Sequence, residues 1–382
     1  MLRKLMLGAV MALAVTSSAF AASARWQALG NEHRFMLDTS NYGIYPGRMF
    51  MFSDALWIIP NAPPTAEPVG LSNMLSGVLV TSGNNAYAIH YNLPGTVAFG
   101  ALRAGLNAAG GNLQGLVGKL QPMPDLFWAH KSGDRVLAGR VVLGVASSQD
   151  AAKNKTSAMS LDLAGGVTQP ISMGDLDLGV RLALAGFSDK TQPAEIKSTG
   201  GMGISVDGRL IMNRGEGVKL IPIAAVAYLK SPTVDGVSEA SNDSITVGLG
   251  YNKSYPDKRM LILGAVVDAN LMSNKVGSAS SAKATRFTLT YLGGYEMPLN
   301  AWLIARGGAN AKMMVTTGDN PAINGTGSQF YYNFGARTIY HKFLVDAIFT
   351  RGIFHRGPYI ASGSAYDWAS NICLTYLFGA TH

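Results

Sequence analysis

The stretch "GDLDLGVRLALAGF", residues 174–187, constrains the fold of this chain more than any other feature. Leu176, Leu178, Val180, Leu182 and Leu184 share one parity, while Asp175, Asp177, Gly179, Arg181 and Ala183 share the other. Side chains of an extended strand alternate between two faces. One face is therefore continuous hydrocarbon, and the other carries two carboxylates and a guanidinium. The same alternation runs through "TSAMSLDLAGGV" (156–167), "GMGISVDGRL" (201–210), "SITVGLGYN" (244–252), "RFTLTYLGGY" (286–295), "NAWLIARGGANAK" (300–312) and "QFYYNFGAR" (329–337). Residues 217–230 and 258–272 are apolar on both faces.

A soluble sandwich alternates too, but its strands run roughly 5–6 residues. It also needs a second layer to cover the apolar face, and few helical segments are present to supply one. Long alternating runs separated by turns fit a transmembrane barrel, apolar toward lipid and polar toward the lumen. Such a sheet must close on itself, because hydrocarbon satisfies no backbone group. The expected fold is all-β, an antiparallel transmembrane β-barrel.

The leader agrees with export. "MLRK", an apolar core at residues 5–15 and "TSSAFA" have the layout of a secretory signal cleaved after Ala21. Beyond it no apolar run reaches the roughly 18 residues of a helical span. The single Cys373 forms no internal disulfide and is read as an inward-facing small filler. Net charge is +8 and is not clustered, so nucleic acid is not an expected partner.

Connection lengths set an orientation. Short turns at 131–134, 170–174, 213–217, 254–258, 296–299 and 340–342 alternate with longer polar connections at 147–155, 188–198, 230–243, 272–283, 316–327 and 355–365. Barrels of the bacterial outer membrane place short turns in the periplasm and long loops outside. Thirteen strands follow residue 124, and strand number is even in such barrels. Reading residues 76–92 as one strand gives fourteen, the expected count. Reading them as a hairpin broken at Gly83-Asn84-Asn85, joined by 96–103, gives sixteen. The expected divisions are a signal peptide (1–21), an N-terminal plug or periplasmic segment (22–75), a barrel (76–378) and a tail (379–382). Within the barrel, 93–123 is expected as a helical insertion, with Leu113, Leu116, Val117 and Leu120 on one stripe.

The last strand, "YDWASNICLTYLF" (366–378), resembles the terminal strand of Gram-negative outer-membrane barrels, which ends in an aromatic read by the barrel-assembly machinery. Tyr251, Tyr255, Tyr295 and Tyr340 near the short turns fit an interfacial aromatic girdle. An N-terminal plug ahead of fourteen strands resembles, in plan alone, the outer-membrane long-chain fatty-acid transporter family. That family's Asn-Pro-Ala plug signature is absent at "IYPGRM", so no site residue is carried over. The resemblance implies an outer-membrane location and contact with outer-membrane lipid.

The inward parity supplies the candidate site. Asp162, Asp175, Asp177 and Asp207 lie on earlier strands together with Arg181 and Arg209. Arg286, Arg306, Lys312 and Arg337 lie on later strands with few carboxylates opposite. An acidic wall facing a basic wall would order water and select charged solutes. None of the six histidines falls at a metal-ligand spacing, and no catalytic constellation stands out, so neither an enzyme nor a cofactor is expected. The expected function is passive diffusion of small polar solutes through a charged lumen, as a monomer or trimer. The alternatives are a plugged barrel taking up hydrophobic compounds and a structural surface barrel without transport.

Overall fold

A computed structural model of the chain describes residues 29, 33–36, 43–51, 54–59, 75–91, 116, 124–149, 155–190, 196–198, 200–233, 238–276, 282–319, 324–350 and 371–378. The signal peptide, the tail and, apart from a buried Leu116, the 93–123 insertion lie outside these residues.

One antiparallel sheet closes on itself. Its strands are β1 (Ala55–Ile59), β2 (Leu75–Ser82), β3 (Asn85–Tyr91), β4 (Pro124–Ser132), β5 (Arg135–Gln149), β6 (Lys155–Ile171), β7 (Gly174–Asp189), β8 (Ile196–Lys197) and β9 (Gly201–Asn213). They continue with β10 (Val218–Lys230), β11 (Ser238–Ser254), β12 (Met260–Val276), β13 (Ala282–Asn300), β14 (Leu303–Gly318), β15 (Gly325–Tyr340), β16 (Phe343–Thr350) and β17 (Asn371–Leu377). β8 is a two-residue piece on the edge of β7 beyond the end of β9, so sixteen strands make the wall. β1 pairs with both β2 and β17, which closes the barrel.

The count is sixteen rather than fourteen, for two local reasons. Gly83 adopts φ 57°, a left-handed conformation that no extended strand contains, so residues 75–91 turn back as a hairpin. The sixteenth strand is Ala55–Ile59, inside the segment expected to precede the wall, while 96–103 lies outside the described residues. The wall thus begins at residue 55 instead of 76. The turn expected at 296–299 falls at 301–302, because β13 continues to Asn300. The described part of the last strand starts at Asn371.

Turns of two to five residues join the hairpins at one rim, and connections of five residues or more sit at the other. β1 starts and β17 ends at the short-turn rim, where the Phe378 amide donates to the Asp54 carbonyl at 3.1 Å. The alternation read from the sequence is the lipid-and-lumen division of the wall. On β7, Val180 is 50% exposed on the outside, whereas Asp177 on the inside is fully buried. Around the short-turn rim the outward face carries the exposed Trp302, Tyr340 and Phe343, an aromatic belt of the kind that seats barrels at an interface.

Candidate functional site in the lumen

The residues of 22–75 that the structure describes ahead of β1 lie inside the barrel. They enter where the wall lacks side chains. A Cβ on Gly250 or Gly264 would come within 2.5 Å of the Phe35 ring, and one on Gly179 within 2.5 Å of the Ile44 carbonyl. Glycine at these inward positions of β11, β12 and β7 is therefore a steric requirement of the docked segment. Around Phe35, the side chains of Leu29, Met36, Ile211, Ile221, Ile223 and Ile262 form a fully packed apolar cluster.

The segment is irregular, so its backbone carbonyls have no ladder partners of their own, and a buried unpaired carbonyl is costly. Wall side chains supply the donors. Arg209 donates to the carbonyls of Arg34 and Met36 at 2.8 and 2.9 Å. Asn252 donates to the Phe35 carbonyl at 2.6 Å. Arg140 and Arg181 both donate to the Gly43 carbonyl, at 3.2 and 3.0 Å.

A buried ionic clamp adds to this. Arg48 of the segment donates through its Nε to both oxygens of Asp177, at 2.8 and 2.9 Å. Its Nη1 reaches Asp175 at 3.1 Å. Asp177 also accepts from Arg209 Nε at 2.8 Å and from the Thr168 hydroxyl at 2.7 Å. The Arg209 guanidinium lies 4.3 Å over the Tyr45 ring, a cation–π contact from wall to segment. Burial pushes the Tyr45 phenol up from its ordinary value, against the lowering influence of Arg209, so the hydroxyl is neutral.

Two further networks hold the wall together. Arg140 and Asp125 form a bidentate pair at 2.8 Å through each oxygen, with Arg140 5.1 Å over the Phe127 ring. Across β13 to β16, Arg306 bridges Glu296 at 2.6 Å and Asp346, while Arg337 grips the other oxygen of Asp346 at 2.8 Å. Cys373 is buried opposite Asp346, its sulfur 3.2 Å from the Thr375 hydroxyl, and acts as a small filler there.

The ten sequence candidates divide accordingly. Asp175, Asp177 and Arg209 belong to the segment clamp, and Arg181 faces Asp162 at 3.4 Å while holding Gly43. Arg306 and Arg337 are committed to Asp346. The later strands are therefore not a bare basic wall: Glu296 and Asp346 sit on adjacent inward positions and neutralise them. Asp207 is half-buried on the inward face of β9. Arg286 and Lys312 stand apart. Both lie on inward positions of β13 and β14 and make no ion pair among the described residues. Arg286 reaches only the Thr316 hydroxyl, at 3.4 Å.

Sequence reasoning missed Arg48, Asp125 and Arg140. Arg48 had one signal, a guanidinium in an apolar irregular stretch whose one carboxylate between 39 and 65 is Asp54. Among the described residues no group of histidine, cysteine and carboxylate side chains is arranged to hold a metal ion.

No protein-family model matches the chain, and no curated protein matches it. Solved structures similar to it include the FrpB iron transporter from Neisseria meningitidis (F3-3 variant), at TM-score 0.41 and 9% identity over 78% of this chain and 60% of that one. The Pseudomonas putida toluene transporter TodX is similar at TM-score 0.39 and 9% identity, over 87% of this chain and 93% of that one. The chain thus spans about three fifths of the FrpB structure.

Proposed function

We propose that this outer-membrane-type barrel is a transport protein of the outer membrane. Its lumen rests closed at the short-turn end, and small polar solutes, anions above all, are admitted from the long-loop side. The observation that carries this reading is the clamp of Arg48 and Arg209 on Asp177, which holds the barrel's own N-terminal segment across its lumen. Arg286 and Lys312, without carboxylate partners on a hydroxyl- and amide-rich wall, supply the preference for anions. The reading keeps a polar path through the lumen but makes the path conditional on the segment. A second reading, uptake of hydrophobic compounds, draws on the same contact, because a displaced segment uncovers the apolar patch of Ile221, Ile223 and Ile262.

Planar-bilayer recording of the refolded mature protein tests the proposal. Wild-type protein is expected to give few or no conductance steps. Asp177→Asn combined with Arg48→Ala is expected to give stable, anion-preferring steps. Equal, continuous conductance from both proteins would overturn the closed resting state. An opened variant that passes hydrophobic solutes into vesicles while showing no ion current would favour the second reading.

A further inference from the structure

The outer face of β5 to β8 changes character at one height near the long-loop rim. Three rows can be followed across three strands. Leu143, Leu161 and Leu184 are register partners in the lowest row, and Val145, Met159 and Gly186 in the next. Above them Ser147, Ser157 and Ser188 form a row of hydroxyls, two of them 3.0 Å apart. Lys155 follows two residues above Ser157 on β6, and Lys197 pairs in register with Ser188. All of these wall positions have the outward parity: Val145 is 55% and Met159 53% exposed, while Ala146 and Ala158 between the strands' outward residues are buried.

The rows enclose a cleft of about 960 Å³ lined by these serines, both lysines, Val145 and Met159. Gly186 makes the notch. With no side chain there, the space between Met159 and Ser198 stays open, and a Cβ would come within 3.4 Å of the Ser198 hydroxyl. The serine is fixed by a two-way bond, its hydroxyl accepting from the Phe187 amide and its own amide donating to the Phe187 carbonyl, both at 2.9 Å. Lys155 is exposed and makes no ion pair among the described residues. The Lys190 amide, bonded to its carbonyl at 3.0 Å, holds its backbone.

We infer that this cleft binds one phosphate-bearing glycolipid of the outer leaflet, of the lipid A type. The phosphate sits between Lys155 and Lys197 above the serine row, and an acyl chain runs down the notch over Gly186 onto Met159 and the leucines. Charge complementarity selects an anionic headgroup. Its placement immediately above a lipid-facing apolar band selects a ligand with a hydrocarbon tail over a free anion. The long-loop rim, which faces outward in the orientation proposed above, selects the outer leaflet. The inference rests on that orientation but not on the closed lumen.

The test is titration of the purified full barrel in detergent with lipid A, read by native mass spectrometry. Wild-type protein is expected to hold one lipid A. Lys155→Glu with Lys197→Glu is expected to weaken binding at least about tenfold, since each lysine near a phosphate surface is worth roughly a few-fold in affinity. Lys155→Arg with Lys197→Arg should retain binding, and dephosphorylated lipid A should bind wild type no better than lipid A binds the charge-reversed variant. Unchanged binding in that variant, or equally tight binding of phosphatidylglycerol, would overturn the assignment. Both lysines lie outside the lumen, so bilayer recording of the charge-reversed variant reports the closed-lumen proposal separately, and a retained compact form on unheated electrophoresis shows that the variant is folded.

Discussion

Asp177 shows how one side chain can have three obligations. It accepts from Arg48 of the inserted segment, from Arg209 of the neighbouring strand and from Thr168 on its other side. Breaking a buried pair by removing one partner costs more than the pair contributes, about 3–5 kcal/mol, because the remaining charge stays desolvated. The same logic separates the later-strand cations. Arg306→Ser takes one buried cation away from Glu296 and leaves Asp346 with Arg337, so a lower denaturant midpoint is expected. Lys312→Ser touches no ion pair and should leave stability within about 0.5 kcal/mol. Measured in a clamp-opened background, Lys312→Ser is expected to move the reversal potential toward cations. A stable Arg306→Ser protein with shifted selectivity would show that Arg306 faces the path as a free charge instead.

At the scale of elements, the inserted segment and the wall are fitted to each other by absence. Gly250, Gly264 and Gly179 are places where the wall gives way to Phe35 and Ile44. Gly250→Val and Gly264→Val replace that space with branched side chains while suiting a β-strand, so the barrel should still fold. The expected outcome is a displaced segment: faster protease cleavage within residues 29–51 and conductance approaching that of the clamp variant. Protection equal to wild type would mean that the ionic contacts alone hold the segment. The hairpin at Gly83 carries the complementary lesson. A single left-handed residue divides an apolar run that otherwise reads as one long strand.

For the molecule as a whole, the weakest seam is where the barrel closes. β1 offers five residues, and only four of them pair with β17, Ala55 to Ile58 against Leu377 to Leu374. Most other neighbours pair over many more positions; β11 and β12, for example, share seventeen. Leu56→Pro puts proline into a strand with neighbours on both sides, where it removes a ladder donor and is essentially never tolerated. An open edge in hydrocarbon adds unsatisfied backbone groups to that loss. The variant is expected to lose the compact, detergent-resistant form on unheated electrophoresis. A proline at Ala301, in the exposed rim turn 301–302, should be far milder, and equal loss in both would place the defect outside the seam.

The sequence by itself determined the wall. Period-two alternation is local, so residues 174–189 declare which face meets lipid, and connection lengths declare which rim is which. The candidate list was half legible for the same reason: parity placed Asp177, Arg209, Arg306 and Arg337 inside, but parity says nothing about partners. Only the tertiary structure decided that these charges are sockets and clamps. Strand register brings Asp346 against Arg337, and chain insertion brings Arg48 to Asp177 from 129 residues away. Closure at sixteen strands was likewise decided by a contact between the two ends of the chain. β1 is too short to alternate visibly, and it is a strand because β2 and β17 leave it one place to bond.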